Sequence, residues 1–286
     1  MNKLISTLVG LSVVFSLAIV PCFADNSGNE SDEVEISVVT AELKERGFTD
    51  EFLAGFLEHE LREMHRDSDG YVVYLTEDEN SGIQLLSNDI PEDELDFSLS
   101  VAYYAKQGSA NVIDHVVIYC RYEWLIDPDS SSNFYHPTIR STDGITINWT
   151  PLSFTVATEN ASFIFRSYKK LNSASTWTLI DTVTRPGAPG LGGGLGFTFD
   201  LDTSLSYAHR GVASFELYPT DGDKTFYVSG SGSPSYMTVS AEYAHSRNPF
   251  FPIVLSPSGY GVTFDSSAIT STTAATYTPV TYYTNP

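Results

Sequence analysis

The chain has 286 residues, a formal charge of −21, and 42% hydrophobic and 13% aromatic residues. That apolar content excludes wholesale disorder, and the acidity argues against nucleic acid and anionic membrane surfaces, which are bound through basic patches. The charge is uneven: residues 25–96 hold 22 Asp and Glu against four Lys and Arg, and residues 97–286 hold 14 against ten, which implies two regions.

In chain order, residues 1–24 read as a secretory signal peptide: Lys3, an apolar run, then "CFA" before Asp25, with cleavage after Ala24. An acidic stretch follows without basic stop-transfer residues, so a secreted chain with no integral membrane segment after cleavage is expected. Pro21 fits poorly before a lipidated Cys22. Cys120 is then the single cysteine of the mature chain, so no internal disulfide is available and stability must come from the core. Bacterial export is the natural setting.

Residues 25–70 are expected to form an acidic tail and a helical pair. Gly47 is placed as a helix stop and Thr49 as the N-cap of a second helix. There Phe52, Leu53, Phe56, Leu57, Leu61 and Met64 recur at three- and four-residue steps, with Glu and Arg on the other face. The stripe should pack on the sheet that follows. The acidity rules out a DNA-reading helix-turn-helix.

From Tyr71 the period changes to two, and residues 71–286 are expected to form one β-sandwich domain. Phe97, Leu99, Val101 and Tyr103 share one face, with Ser98, Ser100 and Ala102 opposite. Val116, Ile118, Cys120, Tyr122 and Trp124 share another, with His115, Arg121 and Glu123 opposite. Ile145, Ile147 and Trp149 repeat the pattern. Further short runs follow, separated by turn residues such as "PTDGD" and "SGSGSP". About ten strands at this spacing point to a mainly β fold, an antiparallel β-sandwich or open barrel, preceded by the short N-terminal helical pair. The tail "SSAITSTTAATYTPVTYYTNP" reads either as an edge strand or as disordered chain.

No motif carries catalysis. Cys120 lies on the buried face, where a thiol is inert. There is no G-x-S-x-G elbow. The carboxylates Glu123, Glu159, Glu216 and Glu242 show no pairing in their spacing. "GLGGGLGF" lacks the pattern of a phosphate loop and reads as a flexible connection. "DSDG" at 67–70 departs from a calcium loop and reads as a turn. His209 and His245 each close a "YAH" triplet, a weak zinc signal.

The long polar segment between Trp124 and Trp149 is the candidate site. A structureless loop of this length tends to be functional or disordered. Its candidate binding residues are Asp127, Asp129, Tyr135, His136, Arg140 and Asp143, of which Asp127, Asp129 and Asp143 are weak calcium candidates. No other cofactor is implied. Both Trp rings are expected in the core, on strands that are close neighbours.

Trp124, Pro128, Arg140, Asp143 and Trp149, together with the "ELKERGFTDEFL" entry, resemble a pattern in an uncharacterised family of secreted proteins of Gram-positive bacteria. The resemblance covers about half of the mature chain. It implies export and a shared architecture, and no activity. Three function classes follow: a non-enzymatic binding or structural protein of the envelope or extracellular space, with an envelope or carbohydrate ligand; a carbohydrate- or cell-wall-active hydrolase; and a β-rich toxin. Two carboxylates converging in one cleft would favour the second, and strands able to form an amphipathic pore hairpin the third.

Overall fold

Residues 113–124 carry large side chains on both faces: Val116, Ile118, Cys120, Tyr122 and Trp124 on one, Val117 and Tyr119 on the other. A strand of this kind must be covered twice. The computed structural model describes residues 34–76, 90, 94–109, 111–125, 141–150, 154–156, 163–184, 188–189, 193–201, 208–220, 225–246, 253–258, 261–264 and 271–284. Residues 1–24, expected as a signal peptide, lie outside them.

Helix α1 (Ile36–Arg46) buries Val39 and Leu43. It stops at Gly47, whose φ of +122° suits only glycine and whose place any Cβ would share with the Val73 carbonyl oxygen, 1.9 Å away. Thr49 caps α2 (Asp50–Ala54), its side chain accepting the Phe52 N–H. The expected second helix then breaks. Gly55 and Phe56 bond back only three residues, and the Leu57 N–H is accepted by the Glu60 carboxylate at 2.7 Å, which starts α3 (Glu58–Asp67) afresh. Three helices replace the predicted pair.

The strands are β1 (Tyr71–Thr76), β2 (Leu95–Lys106), β3 (Ile113–Trp124), β4 (Ser141–Thr150), β5 (Phe154–Val156), β6 (Ile164–Lys170), β7 (Thr178–Val183), β8 (Ala188–Pro189), β9 (Gly194–Leu201), β10 (Ala208–Pro219), β11 (Ser235–Ser246), β12 (Leu255–Ser258), β13 (Gly261–Phe264) and β14 (Ser271–Tyr282). A seven-stranded sheet runs β1-β2-β3-β10-β6-β7, with β5 also on β10. A five-stranded sheet runs β14-β11-β4-β9-β8, and β12-β13 is a separate ribbon. The pairings are antiparallel and neither sheet closes on itself, so the fold is a sandwich rather than a barrel. Within the C-terminal tail, Ser271–Tyr282 form the edge strand β14. Residues 67–70 turn from α3 into β1.

The alternation assigned to β2 and β3 is the one observed. Phe97, Leu99, Val101, Tyr103, Val116, Ile118, Cys120, Tyr122 and Trp124 join the core between the sheets. The opposite face supplies Ala102, Tyr104, Val117 and Tyr119, which form a second core with Leu43, Phe52, Phe56 and Met64 of the helical layer. The helix stripe therefore packs on the sheet as expected. A third, small cluster sits under the ribbon, where Ile253 and Phe264 cover Ala244. Gly144 and Gly196 leave room for it: a Cβ on either would meet Phe264 or Val262 at 2.8 Å.

Two expectations are corrected. Trp124 and Trp149 both lie in the core, at 2% and 3% exposure, but their strands are not neighbours: β3 belongs to the seven-stranded sheet and β4 to the five-stranded one. Matching apolar faces are shared as readily by strands that face each other as by strands that pair. Residues 194–197 of the glycine-rich run are not a connection; they open β9, and Leu195 and Phe197 enter the core.

Candidate functional site

Of the loop residues singled out above, Asp127, Asp129, Tyr135, His136 and Arg140 lie outside the described residues. Asp143 lies inside β4, continuing the inward alternation of Ile145, Ile147 and Trp149, and its side chain is fully buried. His245, its partner across the β4–β11 ladder, reaches Asp143 Oδ1 through Nδ1 at 2.8 Å. Since a carboxylate only accepts, Nδ1 carries the proton. The Tyr243 hydroxyl donates to Asp143 Oδ2, and Trp124 Nε1 of the opposite sheet donates to that hydroxyl at 3.0 Å. The Trp124 ring stands edge-on to His245, with centroids 5.2 Å apart. Both Asp143 oxygens are thus engaged, and the group ties the two sheets together at one end of the sandwich. It is built as a clamp.

A concavity lies elsewhere, on the outer face of the seven-stranded sheet. A cavity of about 490 Å³ lies between α3 and strands β2, β3, β6 and β10, within the usual range for small-ligand sites. Alternation explains its floor. Residues even-numbered in β10 point away from the sandwich, which brings Val212, Ser214 and Glu216 here; odd-numbered residues of β3 do the same for His115, Val117 and Tyr119. Its roof is a helical face. Glu60, Glu63 and Asp67 follow one another at three- and four-residue steps, and with Met64 all line the cavity. Of the helix carboxylates, set opposite the apolar stripe by the periodicity, Glu60 is buried and accepts the Leu57 N–H.

The charged groups at the cavity have different partners. Glu63 forms a bidentate pair with Arg166, at 2.6 and 2.9 Å. Glu60 Oε2 lies 3.8 Å from Arg210, while its Oε1 is buried without a hydrogen-bond partner among the described residues. An unsatisfied buried acceptor of this kind costs about 1–3 kcal/mol. Asp67 lies 3.6 Å from Arg66, with both side chains largely exposed. Burial pushes the Asp67 carboxyl above its usual range; Arg66 opposes this, and the charges of Glu63 and Glu216 add to it. Glu216 accepts the Tyr218 hydroxyl at 2.5 Å. His115 lies between the rings of Tyr104 and Tyr218, stacked at 4.6 and 5.5 Å, and its Nδ1 is held by Asp114 at 3.0 Å.

The carboxylates act on the tyrosine floor. Burial, then Tyr119, raises the Tyr104 hydroxyl far above its normal range, with Asp67 and Glu216 adding. Tyr119 moves the same way, mainly by burial. Chemically, the cavity offers acceptors and aromatic faces around a space open to solvent on one side. Among the described residues no cluster of His, Cys, Asp or Glu is arranged to hold a metal ion, and no helix is long and apolar enough to cross a membrane. The thiol of Cys120, raised by burial, stays inert in the sandwich core.

Sequence reasoning missed this site. Glu216 entered only as one of four carboxylates whose spacing shows no pattern, and the Glu residues of this helix only as the face opposite the apolar stripe. The signal was present in the three- and four-residue spacing of Glu60, Glu63 and Asp67 beside the apolar stripe.

No protein-family model matches the chain, and no curated protein does. Among solved structures it is similar to the KRT10-binding region domain of the pneumococcal serine-rich repeat protein PsrP, at 11% identity and a TM-score of 0.24, covering 68% of this chain and 97% of that one. A structure of manganese lipoxygenase of Gaeumannomyces graminis with part of zonadhesin of Komagataella pastoris gives 10% identity and 0.25, covering 68% and 61%. The membrane-inserted NetB toxin of Clostridium perfringens gives 7% and 0.23, covering 75% and 96%. Likenesses this faint carry no argument about the fold or function of this chain.

Proposed function

We propose that the chain is an exported, non-enzymatic binding protein of the bacterial envelope or extracellular space, and that the cavity beneath α3 holds its ligand. The observation that carries this reading is a cavity of about 490 Å³ whose lining mixes aromatic rings with carboxylates. Glu63 is locked to Arg166, and Glu60 serves the start of α3, so these two groups hold the site in shape. A rigid lining with a few placed polar groups is what binding sites need. The signal-peptide pattern read in residues 1–24 supports the location.

The test is co-sedimentation of the purified mature chain with isolated bacterial envelope fragments, wild type beside Thr184→Trp. Thr184 is an exposed residue at the cavity, so its enlargement blocks the space without touching the core. Retention of the wild type, with loss in the variant, supports the reading; equal retention of both, or of neither, removes it.

A hydrolase is the second reading, favoured by one observation: Asp67, its carboxyl raised, shares the cavity with Glu216. Acid–base pairs are built this way. Release of soluble fragments from envelope glycans, abolished in both Asp67→Asn and Glu216→Gln, would establish it over simple binding.

A further inference from the structure

We infer that the Asp69–Gly70 link, in the turn between α3 and β1, is a site of spontaneous covalent modification, the conversion of Asp69 to isoaspartate through a cyclic imide. The same dipeptide at Asp143–Gly144 is protected by the fold. The inference is independent of the binding reading.

In ring closure the Gly70 backbone nitrogen attacks Asp69 Cγ. A C–N bond forms, a C–O bond of the carboxyl group breaks, and the oxygen leaves as water with the carboxyl and amide protons. Water then opens the ring. Attack at Cγ restores aspartate. Attack at the α-carbonyl leaves the chain running through Cγ, one methylene longer and unchanged in mass. The reaction needs an accessible carboxyl, a nitrogen free to turn toward it, and open space at the following residue.

Asp69 and Gly70 supply all three. The Asp69 side chain is 85% exposed, with Arg46 approaching one of its oxygens at 3.6 Å. Gly70 takes a φ of +77°, and a Cβ built there has nothing within 4 Å. The amides around it are tied: those of Ser68, Asp69 and Tyr71 donate to Met64, Arg66 and Ser68. No backbone carbonyl among the described residues accepts the Gly70 N–H. The added methylene would fall inside the turn closed by the Tyr71–Ser68 bond, at the link that feeds α3, which lines the cavity, into β1.

Asp143 and Gly144 supply none of them. The Asp143 side chain is fully buried, and its oxygens are held by His245 and Tyr243. Gly144 lies inside the five-stranded sheet, between Ala244 and Thr198, and a Cβ there would meet Phe264 at 2.8 Å. Ring closure at this link requires the sheet to open first. A third such pair, Asp221–Gly222, lies outside the described residues.

The test is storage of the purified mature chain in warm neutral buffer, with and without concentrated urea, until Asp143 has converted measurably in urea. Peptide mapping by a fragmentation that distinguishes the two linkages then reads each site. In the folded chain isoaspartate should accumulate at Asp69, and at Asp143 at least about tenfold more slowly. In urea the two links should convert alike. Asp69→Asn closes the same ring with loss of ammonia in place of water, and should convert faster than wild type. If Asp69 stays intact in buffer while it converts in urea, the turn resists ring closure and the inference is overturned. A folded Asp69→Asn variant that keeps its amide overturns it as well. Conversion of Asp143 as fast as Asp69 in the folded chain removes the protection assigned to β4.

Discussion

The two faces of the seven-stranded sheet are made by the same strands, yet they are packed by different rules. The inner face meets another sheet. Rows of alternate side chains pack between the sheets, and Phe215, Phe165, Tyr122 and Trp124 are all buried there. The outer face meets three short helices, and a helix touches a sheet only along its own ridge. On the flank of that ridge β10 and β6 present Arg210, Ser214, Glu216 and Arg166, and the cavity opens there. Polar groups and space therefore collect where the covering layer is narrower than the sheet. One face is covered by a second sheet, and the other shares its core with the helices and leaves a cavity beside them.

The sharpest way to break this comparison is at the inner face. Trp149 is 3% exposed, its ring leans on Phe215 at 5.7 Å, and its Nε1 donates to the Phe154 carbonyl at 3.1 Å. Trp149→Ala should cost about 3–5 kcal/mol in a denaturant melt. The cavity variant Thr184→Trp should stay within about 0.5 kcal/mol of wild type. Equal effects would erase the distinction between the faces.

A smaller effect is expected at Gly211, on the inner side of β10. A Cβ there would stand 2.4 Å from Tyr122 Cε1 and 2.9 Å from Phe165 Cε2, so the aromatic stack needs the glycine. Gly211→Ala should destabilise by about 1–3 kcal/mol through overpacking. A neutral result in the same melt would show that the rings can yield, and that the inner face is looser than its burial suggests.

How much of this was legible in the sequence follows from the same contrast. The inner face was read nearly residue by residue, because period-two alternation of Val, Ile, Phe and Trp maps directly onto one side of a sheet. Asp143 was misplaced onto a loop because a carboxylate breaks the apolar pattern, although its position two residues before Ile145 continues it. Sheet membership was not legible: alternation tells which way Trp124 and Trp149 point but not which strands hydrogen-bond to which. The cavity was harder still. It depends on where α3 lies across β3, β6 and β10, a long-range placement, and on Glu60 turning inward to bond Leu57, which ordinary amphipathic reading assigns to water. Local patterns record burial well and record the gaps between layers poorly.

On the outer face, Arg166→Gln should have a modest effect. It removes the two bonds to Glu63, a pair that is half-buried at the cavity rim, and leaves the carboxylate beside Asp67 and Glu216. About 1 kcal/mol of stability should be lost, and the loss should shrink as salt is raised. A loss near that of Trp149→Ala would mean that the helical layer, and not the sandwich core, governs unfolding.

The smallest effect concerns Asp67 and tests the sign of the field in the cavity. Its carboxyl is raised in the folded chain, by burial first, with Arg66 opposing and Glu63 and Glu216 adding. The folded state therefore holds this proton more tightly than the unfolded state. The resulting stability is fully present below the ordinary carboxylate range and is lost as pH rises through the folded pKa. At neutral pH the ionised group is a net cost, and its seat at the C-terminal end of α3, where the helix dipole disfavours negative charge, acts in the same direction. Asp67→Asn should thus be slightly more stable than wild type at neutral pH and equal to it in strong acid. The side chain is 63% exposed, so solvent screening keeps the difference below about 0.5 kcal/mol. Paired urea melts at neutral and acid pH measure it. A gain of the same size at both would have nothing to do with charge. A loss at neutral pH would mean that the Arg66 pair outweighs the carboxylates, and that the cavity is less negative than its lining makes it.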